Sequence, residues 1–178
     1  MKKISLVAAS VILFALPASA AKDVKRIGIQ GGFAGMSSEG SFAGFGGALT
    51  AGWSVTDALT LGINATASSN QVTEKGGRSV VLSQAVGVTY ALDIIQIVPY
   101  AGIYAGVYEL TGGGLQKTQI KGGAQLALGV DYVHSRAFTF GVELRAHALP
   151  GDFLTSPTNP TPFYATTFLK AEYTWGWF

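Results

Sequence analysis

The chain of 178 residues carries 12 basic and 10 acidic side chains, 24 glycines and no cysteine, with 12% of residues charged against 48% hydrophobic. An average soluble domain is about 25% charged, so this composition does not suit a surface that meets water on every side. The lack of cysteine excludes disulfide staples, thiolate catalysis and thiolate metal ligation. The near balance of charge leaves no basic excess for holding nucleic acid.

Lys2 and Lys3 precede an apolar run from Ile4 to Leu16, which ends in Pro17-Ala18-Ser19-Ala20. That order predicts a cleaved secretory signal peptide over residues 1–20, leaving a single domain over 21–178. Both charges lost with the leader are lysines, so the mature chain has 10 basic and 10 acidic residues. A membrane helix needs roughly 20 consecutive apolar residues. The nearest stretch after the leader, Ile94 to Tyr108, is too short and is interrupted by Gln96, Pro99 and two glycines. An exported, greasy chain without such a helix can cross a bilayer only as a closed barrel of strands, in which every backbone polar group is paired.

In chain order, period-two alternation predicts eight strands: Val24 to Met36, Ala43 to Val55, Leu59 to Ser69, Ser79 to Leu92, Val98 to Leu110, Gln119 to Val133, Ala137 to Ala148 and Phe163 to Trp177. The pattern is cleanest in the second, sixth and seventh. In the sixth, Ile120, Gly122, Ala124, Leu126, Leu128, Val130 and Tyr132 share one face, and Gln119, Lys121, Gly123, Gln125, Ala127, Gly129 and Asp131 the other. In the fifth strand the parity is ambiguous, and Ile103 and Val107 could face either way. Short turns are expected near Thr56-Asp57-Ala58, Leu92 to Gln96 and His134-Ser135-Arg136. Longer connections are expected at Ser37 to Ser41, Asn70 to Gly77, Thr111 to Thr118 and Pro150 to Pro162. Short and long alternate, as short periplasmic turns and longer external loops do in outer-membrane barrels.

Alternation alone does not say which face points outward, since a soluble ligand-binding barrel turns its apolar face in. The small polar face, rich in Gly, Ala and Thr, would solvate poorly but suits a narrow lumen. Trp53, Tyr90, Tyr132, Phe138, Trp175 and Trp177 gather on the apolar face at the short-turn ends, where a membrane-interface girdle belongs. The fold expected is therefore all-β, an eight-stranded antiparallel up-and-down transmembrane β-barrel.

The signal peptide, the strand count, the alternating loop lengths and the terminal segment Leu169 to Phe178 together resemble the OmpA/OmpX-like family of small outer-membrane barrels, over essentially the whole mature chain. The resemblance implies residence in the outer membrane of a Gram-negative bacterium, among its lipids and lipopolysaccharide. It also implies recognition by the barrel assembly machinery through the C-terminal aromatics Tyr173, Trp175, Trp177 and Phe178. In the usual signal the final Phe shares parity with apolar residues two and four before it. Here Gly176 and Thr174 stand in those places, and the apolar parity runs through Trp177, Trp175 and Tyr173, a shift of one residue.

Arg26, Gln30, Lys121, Gln125, Glu143, Arg145, His147, Lys170 and Glu172 fall on the lumen face. Arg26 is expected near Glu172, and Glu143 at the depth of Lys170. A charge in a narrow lumen is costly unless paired, so Arg26, Lys121, Glu143, Arg145, His147, Lys170 and Glu172 are read as an internal plug. A hydrolase would need a nucleophile, a base and an orienting carboxylate together. The lipid A deacylases, which this chain resembles in size and texture, have a His-x-Ser motif, whereas His147 is followed by Ala148 and Leu149, and His134 precedes Ser135 in a turn. No catalytic, cofactor or metal residue is assigned. Gly112-Gly113-Gly114 lacks the Gly-Lys-Ser/Thr that completes a phosphate loop, and Asn64-Ala65-Thr66, a sequon by spelling, is read as lumen lining. The expected role is structural or surface-exposed, through loops whose ligand is not specified. A narrow channel for small or hydrophobic solutes is the alternative, and a lipid A-modifying enzyme a more distant one.

Overall fold

The computed structural model describes residues 23–38, 40–71, 77–92, 96–112, 118–149 and 163–176. Its eight strands are β1 (Lys25–Ser38), β2 (Gly40–Ser54), β3 (Leu59–Gln71), β4 (Arg78–Ala91), β5 (Ile97–Gly112), β6 (Gln119–Val133), β7 (Phe138–Ala148) and β8 (Phe163–Trp175). Each pairs antiparallel with the next, and β8 returns to β1, closing the barrel. The expected leader, together with Trp177 and Phe178, lies outside the described residues.

One expected loop is largely strand. Ser37, Ser38 and Gly40 to Phe42 continue the β1–β2 ladder to the pair Ser38↔Gly40. An extended partner satisfies the backbone there, and polar side chains do not oppose pairing beyond the hydrocarbon. The short turns near Thr56-Asp57-Ala58 and His134-Ser135-Arg136 fall where expected, and residues 93–95 of the third lie outside the described residues. Thr56 Oγ1 accepts from the Leu59 backbone N–H at 2.9 Å, and Ser135 Oγ accepts from the N–H groups of Ala137 and Phe138.

Following register partners once around the wall, from Lys25 through Trp53, Leu61, Val88, Ile103, Leu126, Ala146 and Ala165, returns the path to Gly35. The offset of 10 residues is the shear of the barrel. With eight strands it tilts them by about 40°, so that each residue climbs about 2.5 Å along the axis. On that geometry Trp53, Tyr90, Tyr132, Phe138, Tyr173 and Trp175 all lie within about 8 Å of one height. All six are solvent-accessible on the outer wall at the short-turn end.

The outer wall is apolar, with Ile29 65%, Phe45 68% and Leu169 69% exposed. The inner face holds buried Gln30, Asn64, Thr66, Gln125, Asp131, Glu143 and Arg145. A soluble barrel with its greasy face inward is thereby overturned, because burial runs the opposite way on every strand with described side chains. On β5, Ile103 and Val107 are 61% and 55% exposed on the outer wall. The inner face of that strand carries Tyr100, Gly102, Tyr104, Gly106 and Tyr108, an alternation of the largest and smallest side chains.

Candidate functional site in the barrel lumen

Glycines decide which side chains meet inside the barrel. Gly141 on β7 lies in register between Asp131 on β6 and Lys170 on β8. With no side chain in the way, the Lys170 ammonium reaches across to Asp131 Oδ2 at 2.9 Å. Gly129 on β6 lies likewise between Tyr100 and Glu143, and the Tyr100 hydroxyl donates to Glu143 Oε2 at 2.8 Å. Tyr104 stands across from Gly87 and shares a 2.7 Å hydrogen bond with the Thr89 hydroxyl. A large side chain on one strand lying over a glycine on its neighbour lets these partners meet across the lumen.

At the mid-depth of the barrel Arg145, 2% exposed, ties three strands together. Its Nε donates to Glu143 Oε1, its Nη1 to Thr66 Oγ1 at 3.1 Å, and its Nη2 to Gln30 Oε1 at 2.7 Å. The guanidinium also lies 5.7 Å from the centre of the Phe168 ring. Nearby, Gln125 Nε2 donates to Asn64 Oδ1 at 3.2 Å, so both ends of the sequon-like segment line the lumen rather than present a modification site. Below, Lys170 bridges Asp131 and Glu172, the latter at 3.5 Å, with its ammonium 4.2 Å from the centre of the Tyr100 ring. Arg26 closes the series 4.0 Å from Glu172 and donates to Ser54 Oγ at 3.2 Å.

Arg26 and Glu172 thus lie together, whereas the pairing expected of Glu143 is different. Glu143 lies across from Phe168, two positions above Lys170's partner Gly141. Its ion pair is with Arg145, two residues along the same strand, and Lys170 turns to the carboxylates below it. Lys121 is half-buried near the loop end of β6, ten residues along that strand from Asp131 and apart from these ion pairs. His147 Nδ1 shares a 2.9 Å hydrogen bond with the Tyr108 hydroxyl, and its ring lies 4.5 Å from that of Tyr164. The Tyr164 hydroxyl donates in turn to Ser68 Oγ at 2.8 Å.

Sequence reasoning left out Asp131, Tyr100, Tyr104, Tyr108, Tyr164 and Phe168 as working members of this network. Asp131 was visible on the polar parity of its strand, and the Tyr-x-Gly-x-Tyr-x-Gly-x-Tyr repeat of residues 100–108 was a further signal. Phe168 gives no such signal, being an apolar residue on the inward parity. Among the described residues, no three His, Asp or Glu side chains gather as a metal-binding set.

The lumen is asymmetric along its axis. On the loop side of Arg145 lie the fully buried Tyr108, His147, Leu149 and Tyr164. On the turn side a cavity of about 340 Å³ extends from Arg145 and Tyr104, past Lys170 and Arg26, to the turn residues Asp57, Gln96 and Arg136.

A closed barrel with an apolar exterior and a hydrogen-bonded polar interior defines a membrane-spanning β-barrel. Residues 6–168 match the family model of the outer membrane protein beta-barrel domain, and the chain belongs to that family, residing in the outer membrane of the Gram-negative envelope. Its fold is similar to that of neisserial surface protein A, with a TM-score of 0.70 and 17% identity over 84% of this chain and 96% of that one. It is also similar to the attachment invasion locus protein Ail of Yersinia pestis, with a TM-score of 0.60 and 12% identity over 86% and 99%. OprG of Pseudomonas aeruginosa follows at 0.55, with 14% identity over 87% and 98%. No curated protein matches the chain by sequence.

Proposed function

We propose that this outer-membrane barrel serves a structural or surface-exposed role in the envelope, acting through its loops while its lumen is plugged. The observation that supports the reading is the group of buried side chains Tyr108, His147, Leu149 and Tyr164 on the loop side of Arg145. An eight-stranded barrel has an interior just wide enough for side chains to fill it, and here the fillers are tied across the lumen by Arg145 and Tyr164. Two of the similar folds described above bear names of a surface protein and an attachment protein, which favours the same reading.

In this proposal the lipid partners are outer-membrane lipids including lipopolysaccharide, and the assembly machinery reads Tyr173, Trp175, Trp177 and Phe178 after export on the 1–20 leader. The chain performs no catalysis. His147 bonds to a tyrosine rather than to an orienting carboxylate, and Ser135 serves its turn. The alternative of a narrow channel finds support in the turn-side cavity, which reaches mid-depth.

Planar-bilayer recording on the purified, heat-shiftable barrel separates the two. The plug predicts a silent bilayer, and discrete conductance steps would replace it with the channel. Overexpression should leave the lipid A mass spectrum unchanged.

A further inference from the structure

The outer wall carries one feature that neither the plug nor the loops use. Above the short-turn end, spanning β1 to β4, a concave apolar groove of about 710 Å³ opens outward. Its floor is Ala51, and its sides are built from Trp53, Leu61, Ile63 and Val88. The small side chain of Ala51 between larger neighbours, Ile27 and Ile63 in register, makes the hollow. By strand rise and tilt the groove runs about 15 Å up the wall from Lys25 to Val86. That matches the hydrocarbon depth of a single leaflet, half of a roughly 30 Å core.

Its lower end is charged. Lys25 lies in register with Trp53 on one side and Trp175 on the other, so an exposed ammonium stands between two indoles at girdle height. No ion-pair partner faces Lys25 among the described residues. Next to it, Asp23 adopts a left-handed backbone with φ of 74°, a conformation that aspartate tolerates better than most residues. Its Oδ1 accepts from Trp53 Nε1 at 3.3 Å, which orients the indole that walls the groove, and the residue is exposed.

We infer that this groove binds one zwitterionic phospholipid of the periplasmic leaflet, an acyl chain lying along Ala51, the phosphate on Lys25 and the headgroup ammonium on Asp23. A convex barrel wall touches a lipid chain on one side only. Over the hollow at Ala51 the chain also meets the flanking Trp53, Leu61, Ile63 and Val88 side chains, and dispersion contacts add with each methylene so placed. An amine headgroup that donates hydrogen bonds suits Asp23 better than a quaternary one, and a headgroup without an amine leaves that carboxylate unmatched.

The test uses the refolded full-length mature barrel carrying Trp177→Phe, whose two remaining tryptophans both flank the groove. It is placed in phosphatidylcholine bilayers containing about a tenth of phosphatidylethanolamine or phosphatidylglycerol with brominated chains, and quenching of tryptophan fluorescence reports local lipid. The expected result is quenching by the ethanolamine lipid equivalent to an enrichment of threefold or more over its bulk fraction, and a weaker enrichment of the glycerol lipid. Ala51→Phe, which fills the hollow from the lipid side, should bring both to the bulk value in a barrel that still shows its heat-dependent gel shift. Asp23→Asn should erase the preference for ethanolamine over glycerol, and Lys25→Ala should weaken both. Quenching that follows bulk composition, equal enrichment of the two lipids, or enrichment that survives Ala51→Phe would each overturn the assignment.

Discussion

Removing Arg145 while leaving Glu143 in place isolates the largest electrostatic commitment in the barrel. Arg145→Met keeps much of the side-chain volume but withdraws three donated hydrogen bonds at once, those to Glu143, Thr66 and Gln30. Glu143 then keeps the hydrogen bond from the Tyr100 hydroxyl, and a buried carboxylate stripped of its cation costs about 3–5 kcal/mol. Adding Glu143→Gln removes the orphaned charge. What remains is the loss of neutral hydrogen bonds, about 1–2 kcal/mol in sum. The double variant should therefore be more stable than the single one, by about 2–3 kcal/mol. Urea unfolding from lipid vesicles near neutral pH, followed by tryptophan fluorescence and by gel mobility, measures both. The reasoning fails if Arg145→Met lies within about 1 kcal/mol of the parent, or if the double variant is no more stable than the single.

Three other outcomes follow from the same geometry. Gly141→Val should cost about 3 kcal/mol or more, or block assembly altogether, because a Cβ there would collide with the Asp131 carboxylate and sit 3.1 Å from Lys170 Cε; a heat-shiftable barrel of parental stability would refute the glycine-bridge account. Leu128→Arg, at mid-height on the lipid-facing wall, should destabilise the embedded barrel by about 2–4 kcal/mol, whereas Ile120→Arg near its loop edge should cost about 0–1 kcal/mol. Equal losses in the same urea assay would contradict the depth scale derived from the shear. Tyr104→Phe, which deletes the hydroxyl bonded to Thr89 but keeps the ring over Gly87, should cost about 1 kcal/mol, while Tyr104→Ala should cost about 3 kcal/mol or more; similar losses from the two would show that the ring does not fill the lumen.

Much of this barrel was legible in the chain itself. Alternation of period two needs only that one face of each strand meet one solvent, so Ala43 to Val55 and Gln119 to Val133 declare their faces locally. The alternation of short and long connections sets the up-and-down order, and the aromatics at the short-turn ends say which solvent is outside. These are properties of neighbouring residues. The shear and the partnerships across two strands are not, and only the closed structure decides them. Glu143 and Lys170 were placed at similar depth by counting along their own strands, yet a two-residue register offset and the empty space over Gly141 send Lys170 to Asp131. The parity of β5 was open for the same reason, since Ile103 and Tyr104 are both large and largely apolar. What selects the tyrosines for the interior is Gly87 and Gly129 on the adjoining strands, which make room for their rings inside. Side chains that meet over a neighbouring strand's glycine belong to three strands at once, and no single strand records that meeting.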